Sequence, residues 1–294
     1  MSPEDRPLYQ VLDQPIMERP VMVVALEGWV DAGLGASTAV ATLLADAPLD
    51  PLVSFDSDHF LDQRARRPVA RIVNGVTVDL TWPQTQLCRG QDQAGSDIVY
   101  LVGPEPDFHW REFVDAVVGL ALGWGTRMVV GLGAFPAPAP HTRPVKLAAT
   151  GPVESTDLIT RIGLVQGELE VPAGVQAALE LGFGAAGVPI VTLWARVPHY
   201  VAAMPFPEAS AALIDGLALM SGLTLDASDL RVAADRSRHQ VDDLIAGNHE
   251  HLEMVRKLEE SIDASEGHAL GEDDLPSGEE IAAELERFLR GEDQ

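Results

Sequence analysis

The sequence predicts a three-layer α/β domain with a mostly parallel central sheet, followed by an acidic helical C-terminal extension. Three observations carry this expectation. Short continuous apolar runs alternate with helix-length stretches, the rhythm of a sheet covered on both faces. The runs do not alternate apolar with polar, as strands buried on both faces need not. Residues 240–294 hold 17 of the acids and only 4 Arg or Lys, in a 294-residue chain of net charge −25. That shift of composition divides the chain into a core at 1–235 and an acidic helical extension at 236–294.

The elements follow in order. Val21–Leu26 reads as a buried strand, and the turn Gly28–Gly33 leads into an Ala-rich helix at 34–45 with Asp31 as its N-cap. Leu52–Phe55 is a short strand. Arg71–Leu80 reads as a hairpin, because Asn74-Gly75 suits a type I′ turn. Strands are expected at 98–102, 128–132 and 189–195, and helices at 108–123, 174–187 and 207–221. The four prolines of 134–144 predict an irregular loop. An amphipathic helix is expected over 237–263, with Gly247-Asn248 able to break it. An acidic linker over 265–274 and a capping box at Ser277–Glu280 then introduce a last helix, whose narrow apolar face suits docking either in cis or on a partner.

Composition excludes several functions. No apolar run reaches membrane-spanning length, and the first residues lack a secretory leader pattern. The strong negative charge opposes binding to nucleic acid or to an anionic membrane surface. One cysteine, Cys88, permits no intrachain disulfide, which suits a reducing, cytoplasmic setting.

Five stretches invite chemical scrutiny. Gly28–Gly33 mimics half a P-loop, but Leu34-Gly35 stands where Lys and Ser/Thr are needed, so nucleotide binding is not expected. Glu27 and Asp31 either line a pocket at this strand end or belong to a capped, tightly packed turn. Gly131-Leu-Gly133 fails as a dinucleotide fingerprint because Pro136 replaces the last glycine, and it reads as a tight strand exit. His141 and Arg143 sit on the proline-stiffened loop, as acid–base and anion-binding groups or as parts of a packed interface. Trp194, Arg196, His199 and Tyr200 suit a pocket, an interface, or a core with satisfied polar neighbours. His249 and His251 do not form a zinc motif, and no cysteine–histidine set has structural zinc spacing. No metal or cofactor is expected, and no Gly-x-Ser-x-Gly elbow is present.

The segments 21–33 (VMVVALEGWVDAG), 131–144 and 188–201 (VPIVTLWARVPHYV) resemble the bacterial, chiefly actinobacterial, branch of the proteasome assembly chaperone 2 family. The resemblance spans about residues 15–225. It implies a phosphorylase/hydrolase-like fold, a homo-oligomer such as a trimer, and a chaperone-like role in proteasome assembly with a proteasome subunit or other protein as partner. Archaeal relatives can use a C-terminal hydrophobic-Tyr-any tail. This sequence has no tyrosine after Tyr200, so any such contact would use another surface. The leading expectation is therefore a binding protein with no catalytic residues. The alternatives are a small-molecule hydrolase or transferase, or a ligand sensor, using Glu27, Asp31, His141, Arg143 and His199.

Overall fold

The computed structural model describes residues 7–28, 30–45, 49–165 and 167–267. Ten strands and eight α-helices are seen among them, in the order β1 (Tyr9–Val11), β2 (Val21–Glu27), α1 (Gly35–Ala45), β3 (Asp50–Phe55), α2 (Ser57–Phe60), β4 (Val69–Val73), β5 (Val76–Thr81), β6 (Gln86–Gln91), β7 (Asp97–Pro104), α3 (Trp110–Gly123), β8 (Met128–Ala137), β9 (Leu147–Thr150), α4 (Thr156–Ile162), α5 (Val175–Ala185), β10 (Ile190–Pro198), α6 (Pro207–Ser221), α7 (Ser228–Ala246) and α8 (His249–Gly267).

Eight strands form one sheet in the order β1-β3-β6-β7-β2-β8-β10-β9. The four central strands, β7, β2, β8 and β10, run parallel. The flanking pairs are antiparallel. The sheet is thus mixed, with parallel character confined to its centre. Connection length explains the β6–β7 pair: only five residues join these strands, too few for the crossover that a parallel pair needs. Asp92 pins that turn by accepting the N–H groups of Ala94, Ser96 and Thr224. Burial raises its pKa, but these donors together outweigh burial and hold its carboxyl low.

Residues of β2 show why the apolar run is continuous. Val21 and Val23 enter a core with Ala39 of α1 and Leu213 and Leu217 of α6. Met22 and Val24 enter the opposite core with Phe113 of α3 and Leu179 and Phe183 of α5. Successive side chains point to opposite faces, and both faces are covered. The first core extends outward: Val241 and Ile245 of α7 and Val255 of α8 belong to it. Helices α7 and α8 therefore dock in cis. The chain breaks between them at Gly247-Asn248, and α7 begins at Ser228, earlier than the expected 237. Residues 235 and 236 lie within α7. Helix α8 runs to Gly267, into the stretch expected as a linker. The Ser277–Glu280 capping box and the last helix lie outside the described residues.

The expected loop at 134–144 is corrected in its first part, because β8 continues to Ala137. Pro136 is tolerated there because pairing of β2 with β8 ends at Val24–Gly131. Beyond that point β8 keeps β10 on one side and meets only an isolated bridge from Asp31 to Ala134 on the other, two residues short of Pro136. Gly131 and Gly133 lie inside the strand and are no exit turn. A side chain at Gly133 would collide with the Trp194 indole, and one at Gly131 with the Gln176 amide and Thr192.

The Asn74-Gly75 hairpin forms as expected, with φ of 52° and 83° at those residues. It is a separate two-stranded sheet, and every residue of β4 and β5 is exposed.

Candidate functional site

The largest concentration of expected site residues lies where the loop after β8 meets the C-terminal helices. His141 is only 2% exposed. Its backbone N–H donates to the Tyr200 hydroxyl at 2.8 Å, and its Nδ1 lies 2.8 Å from the same oxygen. Its Nε2 lies 3.0 Å from Asp242 on α7. One proton order satisfies all three: the phenol accepts from the backbone and donates to Nδ1, leaving Nε2–H for Asp242. Burial pushes the Tyr200 phenol up to about 12, so it keeps its proton at neutral pH and is no base. His199 packs edge-on against the Tyr200 ring at 5.3 Å.

The next two residues continue the contact. Thr142 donates to Glu259 of α8. Arg143 forks onto Asp263 through Nε at 3.0 Å and Nη2 at 2.7 Å, and reaches Glu259 at 3.1 Å. Hydrogen bonding to Arg143 holds the Asp263 carboxyl low. The stiff loop is thus a clamp: three consecutive residues engage three carboxylates on two helices more than 100 positions away.

Asp31 closes the start of α1, as expected of it, but from across an intervening 3-10 turn at Ala32–Leu34. Its two oxygens accept the N–H groups of Ala36 at 2.7 Å and Ser37 at 3.0 Å, closing the start of α1. Glu105, at the end of β7, accepts the Val175 N–H at the start of α5. Two helix N-termini near the carboxyl ends of the parallel strands, where anions commonly bind, are occupied by this chain's own carboxylates. Glu27 ends β2 exposed, and its carbonyl accepts the Glu105 N–H at 2.8 Å.

Trp194 belongs to a further network that the sequence did not announce. Its indole donates to Thr150 at 2.9 Å. Thr150 and Thr192 both donate to Glu180, a carboxylate 8% exposed inside α5, and Gln176 donates to Thr192. Burial raises the Glu180 pKa, and the two threonines offset it only in part. Its one sequence signal was an acid set between Leu179 and Leu181 in an otherwise apolar helix. The residues of the enzyme reading thus divide among a clamp, a cap and a solvent-facing strand end. Trp194 joins a fourth group, the buried network.

Two features lie apart from these. His59, His109 and Glu112 offer three metal-ligating atoms within 4.8 Å of one another. Glu112 already accepts from both imidazoles at 3.1 Å, and it lies in the first turn of α3, at the positive end of that helix, which disfavours a cation. A cleft of about 380 Å³ includes Glu18, Arg19, Asp97 and Arg127 in its lining. Asp97 there is bound by Arg89, and Arg127 donates to the Ser221 carbonyl.

Against known proteins, the model of the PAC2 family matches residues 25–245. A Mycobacterium tuberculosis proteasome-assembly chaperone homologue is 35% identical, with a TM-score of 0.73 over 80% of this chain and 99% of its own. A Corynebacterium glutamicum protein of unknown function is 28% identical, with a TM-score of 0.81 over 88% of this chain and 97% of its own. At 17% identity, a Pyrococcus furiosus archaeal proteasome activator shares the fold, with a TM-score of 0.60 over 80% of this chain and 97% of its own. No match was found among curated proteins. With a family match over three quarters of its length, this chain belongs to the PAC2 family.

Proposed function

We propose that this protein is an assembly-chaperone-like factor that works by binding other proteins, a proteasome subunit among them, and that it self-associates. The observation that carries the reading is how the polar groups are used. His141, Arg143, Asp31 and Glu105 each hold another part of the same chain, so the groups that would bind or turn over a small molecule are engaged internally. Family membership supports the reading, as does the 35% identity to a protein described as a proteasome-assembly chaperone homologue. The finer phosphorylase/hydrolase-like class, a cytoplasmic setting and a trimer complete the proposal. So does the division into a core at 1–235 and a helical extension at 236–294.

The test is capture of the tagged full chain from its native host after mild cross-linking. A proteasome core subunit should be recovered in proportion to the bait, and the purified chain should speed assembly of the core particle from its subunits. Recovery of the chain alone, with assembly unaffected, sinks the proposal.

A further inference from the structure

Arg196, near the end of β10, is a cation that the fold draws out of water without answering its charge. The residue is only partly exposed, and its Nε is sealed from solvent with no hydrogen-bond partner among the described residues. Burial alone acts on its pKa and pushes it down from the ordinary arginine range. A bound acid does the opposite, as Asp263 does for Arg143. A guanidinium does not shed its proton to escape this cost. What offsets a desolvated charge is an opposite charge brought to it.

The strand register sets more positive charge beside it. Ala195 pairs with Leu147, and the Arg196 N–H donates to the Lys146 carbonyl at 3.1 Å, so Lys146 stands opposite Arg196. Ala195 and Leu147 belong to the core shared with α1 and α6, which turns Arg196 and Lys146 to the other face of the sheet. Like charges directly opposite each other on neighbouring strands repel. On β8 the residue in register with Arg196 is Phe135, also half-buried. Trp194, two residues earlier on β10, shares the face. Two cations and two aromatic rings thus meet at the carboxyl ends of β8 and β10, the end of a parallel sheet where ligands commonly sit.

Charge and shape identify the ligand class. The guanidinium fork matches the paired oxygens of a phosphate or a carboxylate. A chain of net charge −25 repels a polyanion over the rest of its length, so the anion is small.

We propose that Arg196, with Lys146 beside it, binds a small oxyanion through its phosphate or carboxylate group, flanked by Phe135 and Trp194. This goes beyond protein binding and does not depend on it.

Calorimetric titration and thermal melting of the full chain test the site, with sodium phosphate or sodium malonate compared against sodium chloride at equal ionic strength. The wild type should bind at least one of the two saturably and melt higher in it than in chloride. Which of them acts tells a phosphate group from a carboxylate. Arg196→Met puts an apolar chain in place of the unpaired charge. It should melt no lower than the wild type in chloride and should lose the response to the anion. Lys146→Gln, an exposed change, should weaken binding about tenfold, the scale of one lost charge contact. Arg256→Gln, at an exposed arginine of α8, should leave binding unchanged. A wild type that binds neither anion overturns the proposal, and so does binding that survives Arg196→Met. An Arg196→Met chain that melts well below the wild type in chloride also overturns it, because the guanidinium would then be held by the fold itself. Capture of a proteasome subunit is a separate readout, so protein binding is judged independently.

Discussion

The clamp and the β4–β5 hairpin both lie outside the eight-stranded sheet, and they are resolved in opposite ways. Helices α7 and α8 are polar on average, yet Val241, Ile245 and Val255 reach the core and the Pro-rich loop matches their carboxylates with His141 and Arg143. The hairpin is far more apolar, yet no residue of its strands is buried. Apolar content alone does not decide what a segment covers. A narrow stripe with charge partners placed opposite it docks on its own core, whereas the hairpin, with no such partners opposite it, leaves its apolar side chains exposed.

The contrast can be broken most sharply at Val241. Replacing this buried side chain by Asp puts an unpaired carboxylate in the seam. Stability should drop by more than about 3 kcal/mol, read as loss of cooperative melting. His141→Ala should cost about 1–2 kcal/mol in urea unfolding, because a buried side chain is lost and the half-buried Tyr200 hydroxyl and the half-exposed Asp242 each lose a partner. Helix α5 gives a reference inside the core. A carboxyl held above its unfolded pKa keeps its proton in the folded chain where the unfolded chain has released it. Stability from Glu180 therefore falls as pH rises out of the ordinary carboxylate range toward its raised folded value. Glu180→Gln should remove that slope and gain about 1 kcal/mol at pH 8, the scale of one buried polar group. The melting temperature would rise by roughly 2–4 °C. Arg143→Ala should lower the urea midpoint by less than His141→Ala does, with the difference shrinking in high salt, since its pairs are half-exposed. Leu80→Ser in the β4–β5 hairpin should change stability by no more than about 0.5 kcal/mol, because Leu80 is exposed. A larger loss in urea unfolding would mean that this side chain is covered.

Local chemistry made some of this visible in the sequence. Asn74-Gly75 predicted its turn, Asp31 its cap, and Gly247-Asn248 the break between two helices. Strands β6 and β9 escaped because Gln86-Leu-Cys-Arg-Gly-Gln91 and Leu147-Ala-Ala-Thr150 lack both the alternation and the apolar run of a strand. Their identity comes from the neighbours they pair with. Strand β8 outran its expected end because the rule against proline in a sheet lapses where one side is unpaired. His141, Arg143 and Tyr200 stood out singly. Their use did not, because Asp242, Glu259 and Asp263 look like any acids on a solvated helix until the helix is docked. Glu180 stayed hidden for the reverse reason: a helix pattern shows which face is apolar, but not that two threonines wait beneath one acid.

The sheet's strand order also constrains how the chain is made. Strand β2, near the N-terminus, is flanked by β7 and β8, which are translated some 70 to 110 residues later. At about 5–20 residues per second, the most apolar strand waits roughly 10 seconds before both neighbours exist. An uncovered apolar segment is thereby built into the order of synthesis, and until β7 and β8 emerge β2 has neither of its neighbours to pair with.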